Sequence, residues 1–142
     1  MTLVVFKTVR CRVPRRLLQA LASTIVAQEL RSSTPNSVHL VFAGDSRIRS
    51  LNRQFRNIDR PTDVLSFNMD DPDEPESVLG EIYISIPTAQ RQARQAEIMR
   101  LVCHGLLHLC GYDHQTKAEE ARMMARQDYY LGSAELTRMA DQ

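Results

Sequence analysis

The chain has 142 residues, enough for one domain with a substantial core, so neither a disulfide nor a metal is needed merely to fold it. Its 43% hydrophobic and 25% charged composition is that of an ordinary globular protein, and no apolar run approaches the ~20 residues that cross a bilayer. A formal net charge of +1 provides no global field to attract nucleic acid, so phosphate recognition has to rest on local clusters.

The opening MTLVVFKTVRCRVPRR places apolar residues before basic ones, the reverse of a secretory signal, and a cytoplasmic location is expected. Residues 2–9, TLVVFKTV, are rich in β-branched side chains and predict a strand. Pro14 then opens a helix with Leu17, Leu18, Leu21, Ile25 and Val26 at helical spacing. Residues 32–37, SSTPNS, are a turn cluster, and residues 38–43, VHLVFA, predict a second strand. Gly44-Asp45-Ser46 supplies a turn and a helix N-cap. The helix expected over residues 46–57 gathers Ile48, Leu51 and Phe55 on one apolar face, with Arg49, Arg53 and Arg56 as a neighbouring stripe. Phe55 and Phe67 are expected in the core. Strands follow at residues 63–67 and 78–86, separated by an acidic, proline-bearing loop. Pro87 introduces helical sequence to about Cys110, either one helix or two broken near residues 96–98. A last helix is expected over residues 116–131, with Met123 and Met124 in the core. The order β-α-β-α-β-β-α-α predicts an α+β fold: a small mixed sheet of about four strands packed against helices, with residues 1–142 as a single domain.

The densest chemistry is HGLLHLCGYDH, residues 104–114. His104 and His108 are four apart, which on a helix means about 6 Å of rise and about 40° of rotation, so both rings leave one face. Gly111 can adopt a positive φ and end the helix, letting His114 return to the same point. Three imidazoles bind zinc, or another divalent transition metal, and leave a fourth position for water, whose pKa zinc can lower to about 7. The expected metal site thus lies at the end of a helix and in the turn after it. The spacing is that of the metzincin peptidases, but Gly105 stands where their catalytic glutamate would be, which argues against peptide hydrolysis. Asp113 could assist His114 from behind, accept a proton, or simply bond within the turn. Cys11, Cys103 and Cys110 are odd in number without CxxC spacing, and read as small hydrophobes. His39, in a strand and outside the ligand spacing, is expected to have no metal role.

HGLLHLCGYDH resembles the HGxLHLxGYDH signature of the YbeY family of bacterial rRNA maturation factors and endoribonucleases. LNRQFRNIDRPTDVLSF, residues 51–67, resembles that family's LNxxYRxxDxPTDVLSF, and LGEIYIS, residues 79–85, resembles its LGDIxIS. The resemblance spans about half the chain. It departs at Glu81, where the family has aspartate, and in a shorter stretch between Ile86 and His104. It implies a zinc-dependent endoribonuclease for single-stranded RNA, acting in maturation of the 16S rRNA 3′ end and in ribosome quality control, with the small ribosomal subunit as partner. It places the zinc ligands at His104, His108 and His114 and the functional arginine at Arg56. A planar guanidinium grips two phosphate oxygens at once. Arg49, Arg53 and Arg60 could extend a track for RNA, while Asp63 and Glu81 could orient histidine rings from behind. Two other readings stand beside it: a metal-stabilised ribosome-assembly factor with little nuclease activity, and a metallopeptidase.

Overall fold

The computed structural model describes residues 1–31, 34–69, 77–86 and 95–132. Within them the expected order of elements is found: β1 (Thr2–Lys7), α1 (Arg15–Glu29), β2 (Ser37–Ala43), α2 (Asp45–Arg56), β3 (Val64–Asn68), β4 (Val78–Ser85), α3 (Gln95–Leu109) and α4 (Lys117–Leu131). The strands form one mixed sheet in the order β1-β2-β4-β3. β1, β2 and β4 run parallel, and β3 is antiparallel to β4. The fold is the expected α+β arrangement of four strands and helices.

Strand parity divides the core. Leu40 and Phe42 of β2 and Ile82 and Ile84 of β4 are fully buried on the face covered by α1 and α3, against Leu18, Leu21, Ile25, Val102 and Leu106, with α4 packed on those two helices. The opposite face is smaller: Ala43, Leu65, Phe67 and Tyr83 pack with Ile48 and Leu51 of α2. An irregularity between Ser37 and His39 in the β2–β4 register sets the parity of β4 beyond it. Glu81 pairs with His39 and Phe67 and alternates with Ile82, so it shares the α2 face with Tyr83, whose hydroxyl donates to it at 3.4 Å.

β3 is an edge strand. Ser85 N–H donates to Asp63 C=O at 2.9 Å and Met69 N–H to Leu79 C=O at 3.0 Å. Odd residues of β3 therefore pair with β4, and residues 64, 66 and 68 turn their N–H and C=O groups to the open side.

The core placements expected for Phe55 and Met124 are corrected, and two open points are resolved. Phe55 is 57% exposed: Ile48 and Leu51 reach the sheet, but at the last turn of α2 the ring only meets Phe67 edge-on, centroids 5.3 Å apart. Phe67 itself is half-buried. Met123 is buried, but Met124, one residue round the helix, is 56% exposed. Gly44 occupies the N-cap of α2 without a side-chain cap, and Asp45 instead accepts a hydrogen bond from the Ser85 hydroxyl of β4. α3 is unbroken through residues 96–98. Pro87 and most of the acidic loop lie outside the described residues.

Gly105 sits where α3 touches the sheet. A Cβ there would lie 2.7 Å from Ile82 Cγ2 and 3.1 Å from Ser66 Oγ. The glycine thus sets how closely α3, and the histidines it carries, approach β3. Gly105→Ala is expected to lower unfolding free energy by roughly 1–3 kcal/mol through overpacking. Urea denaturation measures this, and unchanged stability would show that α3 can back away from the sheet freely.

Candidate metal centre

α3 ends in two hydrogen bonds: Gly111 N–H to His108 C=O and Tyr112 N–H to Leu107 C=O, each 3.0 Å. With Gly111 at φ +105°, this is the six-to-one and five-to-two pattern of a Schellman stop. The chain reverses there, and His114 comes back over the helix end. One donor nitrogen from each of His104, His108 and His114 lies within 4.8 Å of the others. His104 Nε2 and His108 Nε2 are 3.0 Å apart.

Their protonation follows from their partners. His108 Nδ1 is 2.9 Å from the Tyr112 carbonyl, an acceptor only, so Nδ1 carries the proton and Nε2 presents a lone pair to the cluster. Burial lowers the pKa of His104, reinforced by the fields of His108 and His114 and opposed by Gln127 and Asp63. Burial likewise lowers that of His108, against the bond to the Tyr112 carbonyl. Both rings therefore favour the neutral form a metal requires.

The donor set fits a divalent ion. Tetrahedral zinc with Zn–N near 2.0–2.1 Å places ligand nitrogens about 3.4 Å apart, close to the span already present. Bare imidazole nitrogens at 3.0 Å repel unless a proton or cation lies between them. The nearby thiols do not compete: burial pushes Cys103 and Cys110 up to about 12, leaving them protonated. An all-imidazole set suits zinc, copper, iron or nickel better than calcium or magnesium.

The cluster opens into a cleft of about 710 Å³ whose walls include Arg56, Asp63, Ser66 and the three histidines. Arg56 reaches it from α2 round the open edge of β3. Its Nη2 donates to Ser66 C=O at 2.9 Å, and its guanidinium carbon lies 5.3 Å from the Phe67 ring centroid. Of the four arginines singled out from sequence, Arg56 is the one that lines the cleft. Arg49 is bound in a two-point pair with Asp59, at 2.8 and 3.2 Å, and Arg53 and Arg60 are exposed away from the cleft walls. The continuous arginine track is thus not formed in the cleft.

Asp63 lines the cleft and acts on His104 through its field. Asp113 accepts from His114 N–H at 2.8 Å, the within-turn bond. Glu81 lies on the opposite face of the sheet from α3 and cannot stand behind the histidines. His39 meets Phe6 edge-on at 5.6 Å, away from the cluster. Sequence reasoning missed Glu29, whose carboxylate accepts from the hydroxyl of Tyr112, in the histidine-bearing turn, at 2.6 Å. It has no motif spacing to mark it, although a carboxylate ending a helix already runs against the helix dipole.

The family model described as "Endoribonuclease YbeY" matches residues 5–135. The chain is 45% identical over 132 residues to an Endoribonuclease YbeY of Anaeromyxobacter sp. strain Fw109-5, covering 89% of this chain and 67% of the relative. It is 44% identical over 129 residues to an Endoribonuclease YbeY of Desulforamulus reducens, covering 81% and 83%. The solution structure of TM1509 from Thermotoga maritima superposes with a TM-score of 0.57 at 29% identity, covering 92% of this chain and 87% of that one.

The lowered histidine pKa values have a signed consequence for the metal-free protein. The unfolded chain takes up these protons at the ordinary value of 6.5, before the folded chain does. Their contribution is therefore full above pH 6.5 and lost as pH falls below it. Denaturation of chelator-treated protein should show a lower midpoint at about pH 5.5 than at about pH 7.5, and a His104→Asn, His108→Asn double variant should lose much of that difference. Equal wild-type midpoints would contradict the desolvated cluster.

Proposed function

The chain belongs to the YbeY endoribonuclease family, and from that premise we propose that it is a zinc-dependent endoribonuclease for single-stranded RNA. Its role is in rRNA maturation and ribosome quality control at the small subunit, with residues 1–142 acting as one domain. The observation that carries this reading is a single cleft lined by three converging imidazoles and one pre-placed guanidinium.

His104, His108 and His114 would hold the ion. When bound, it supplies Lewis acidity and a water of lowered pKa. Arg56 binds the scissile phosphate. Its bond to Ser66 C=O and its stacking on Phe67 hold the guanidinium at the cleft, so little reorganisation is needed as charge develops on the phosphate oxygens. The outward N–H groups of β3 line the same wall and can donate to backbone oxygens of the RNA. Two carboxylates line the cleft, Asp63 and Asp113; Asp113 already accepts from the His114 N–H, so Asp63 is the one assigned here to take a proton.

Gly105 separates this site from the zinc peptidases. The space a glutamate would need is filled by Ile82 and Ser66, so the proton delivery that an amine leaving group demands is missing at that position.

Arg56→Ala should leave zinc content unchanged and reduce cleavage of labelled single-stranded RNA by about 10²-fold or more. His108→Ala should lose zinc and cleavage together. Elemental analysis alongside turnover checks both, and an Arg56→Ala enzyme as active as the wild type would remove the phosphate-binding role.

A further inference from the structure

We infer that Glu29, at the far end of α1, is a positioning residue for the histidine cluster: through Tyr112 it fixes which nitrogen of His108 carries the proton and where the other one points. This rests on the metal-centre reading for the ligand that is served. The chain of contacts itself does not depend on a bound ion.

Two hydrogen bonds make the connection. The Tyr112 hydroxyl donates to Glu29 Oε1 at 2.6 Å, across 83 residues of sequence. The Tyr112 carbonyl accepts from His108 Nδ1–H at 2.9 Å. A residue of a reversing turn is thus held by its side chain at one end while its peptide oxygen orients a ring at the other. Such a backbone acceptor is the usual device for fixing a metal-binding imidazole, because it selects the tautomer and aims the remaining lone pair. Here Gly111, just before Tyr112, takes φ +105°, and the Tyr112 N–H bond to Leu107 C=O brings the carbonyl to His108. The bond from the Tyr112 hydroxyl to Glu29 anchors the same residue from outside the turn.

Glu29 is placed to do this. Its side chain is only 11% exposed, and its other oxygen accepts from Arg126 Nη2 at 2.8 Å and from the Tyr130 hydroxyl. Arg126 is held in turn against the Tyr129 and Tyr130 rings, 4.7 and 4.9 Å from their centroids. One carboxylate therefore joins α1, α4 and the ligand-bearing turn. The end of a helix is an unfavourable place for a carboxylate, since the exposed carbonyls there repel it. The donors offset that cost, and one of them is the side chain of the residue whose carbonyl orients His108.

The test begins without metal. In ¹⁵N-labelled, chelator-treated protein, long-range ¹H–¹⁵N spectra distinguish the imidazole tautomers. Wild type should show His108 in the Nδ1–H form, and Tyr112→Phe and Glu29→Ala should show mixed forms. The Zn²⁺ dissociation constant of the full chain, measured by competition with a chromophoric chelator, should weaken about 10-fold or more in both variants. A merely structural role would lower the melting temperature and leave the tautomer unmoved. A wild-type tautomer together with Zn²⁺ affinity within about twofold in Tyr112→Phe would overturn the inference. If Glu29→Ala does not fold, Tyr112→Phe, which removes a single oxygen, carries the test. If wild type binds no Zn²⁺, the metal-centre reading falls, and the tautomer spectra alone decide whether Glu29 positions His108.

Discussion

Two backbone hydrogen bonds at the end of α3 hold the centre of this molecule together: Gly111 N–H to His108 C=O, and Tyr112 N–H to Leu107 C=O. Without that reversal, ten residues of helix would carry His114 about 15 Å beyond His104. With it, the third imidazole returns to the first two. The same stop satisfies carbonyls that a helix end would otherwise leave unpaired. It also places the Tyr112 carbonyl where it sets the proton on His108. Termination of one helix and assembly of a ligand set are a single event.

The sheet supplies the other half of the site. β3 is short, lies at the edge and is antiparallel to its one neighbour, so its alternate peptide groups face outward into the cleft. An open strand edge invites pairing with another chain. Here Arg56 takes the Ser66 carbonyl, which interrupts the edge and holds the guanidinium beside the histidines. Gly105 lets α3 lie against Ile82 and Ser66, so the imidazoles and the arginine face each other across the cleft. Removing side-chain bulk at one position brings the two walls together, and it also removes the place where a peptidase keeps its acid–base residue.

How much of this could be read from the residues alone depended on the distance over which each feature is determined. The histidine pair and the glycine stop are local, a matter of helical periodicity and one φ angle, and they were legible. Arg56 was legible only through resemblance, because nothing in an amphipathic helix says which of its arginines turns towards a cleft built from another element. Phe55 was misjudged because it shares a helical face with Ile48 and Leu51, while the surface beneath that face runs out before the last turn. Glu81 was misjudged because strand parity fixes that it alternates with Ile82 but not which face of the sheet will carry the site. Glu29 was invisible: its function depends on a tyrosine far along the chain and an arginine beyond that.

X-ray absorption at the zinc edge, on protein purified without added metal or chelator, tests the central claim most directly. Three imidazole nitrogens at about 2.0–2.1 Å and one further light-atom ligand, at one zinc per chain, are expected. Sulfur scattering at about 2.3 Å, which would bring Cys103 or Cys110 into the ligand set, or purified protein without any bound transition metal, would contradict it.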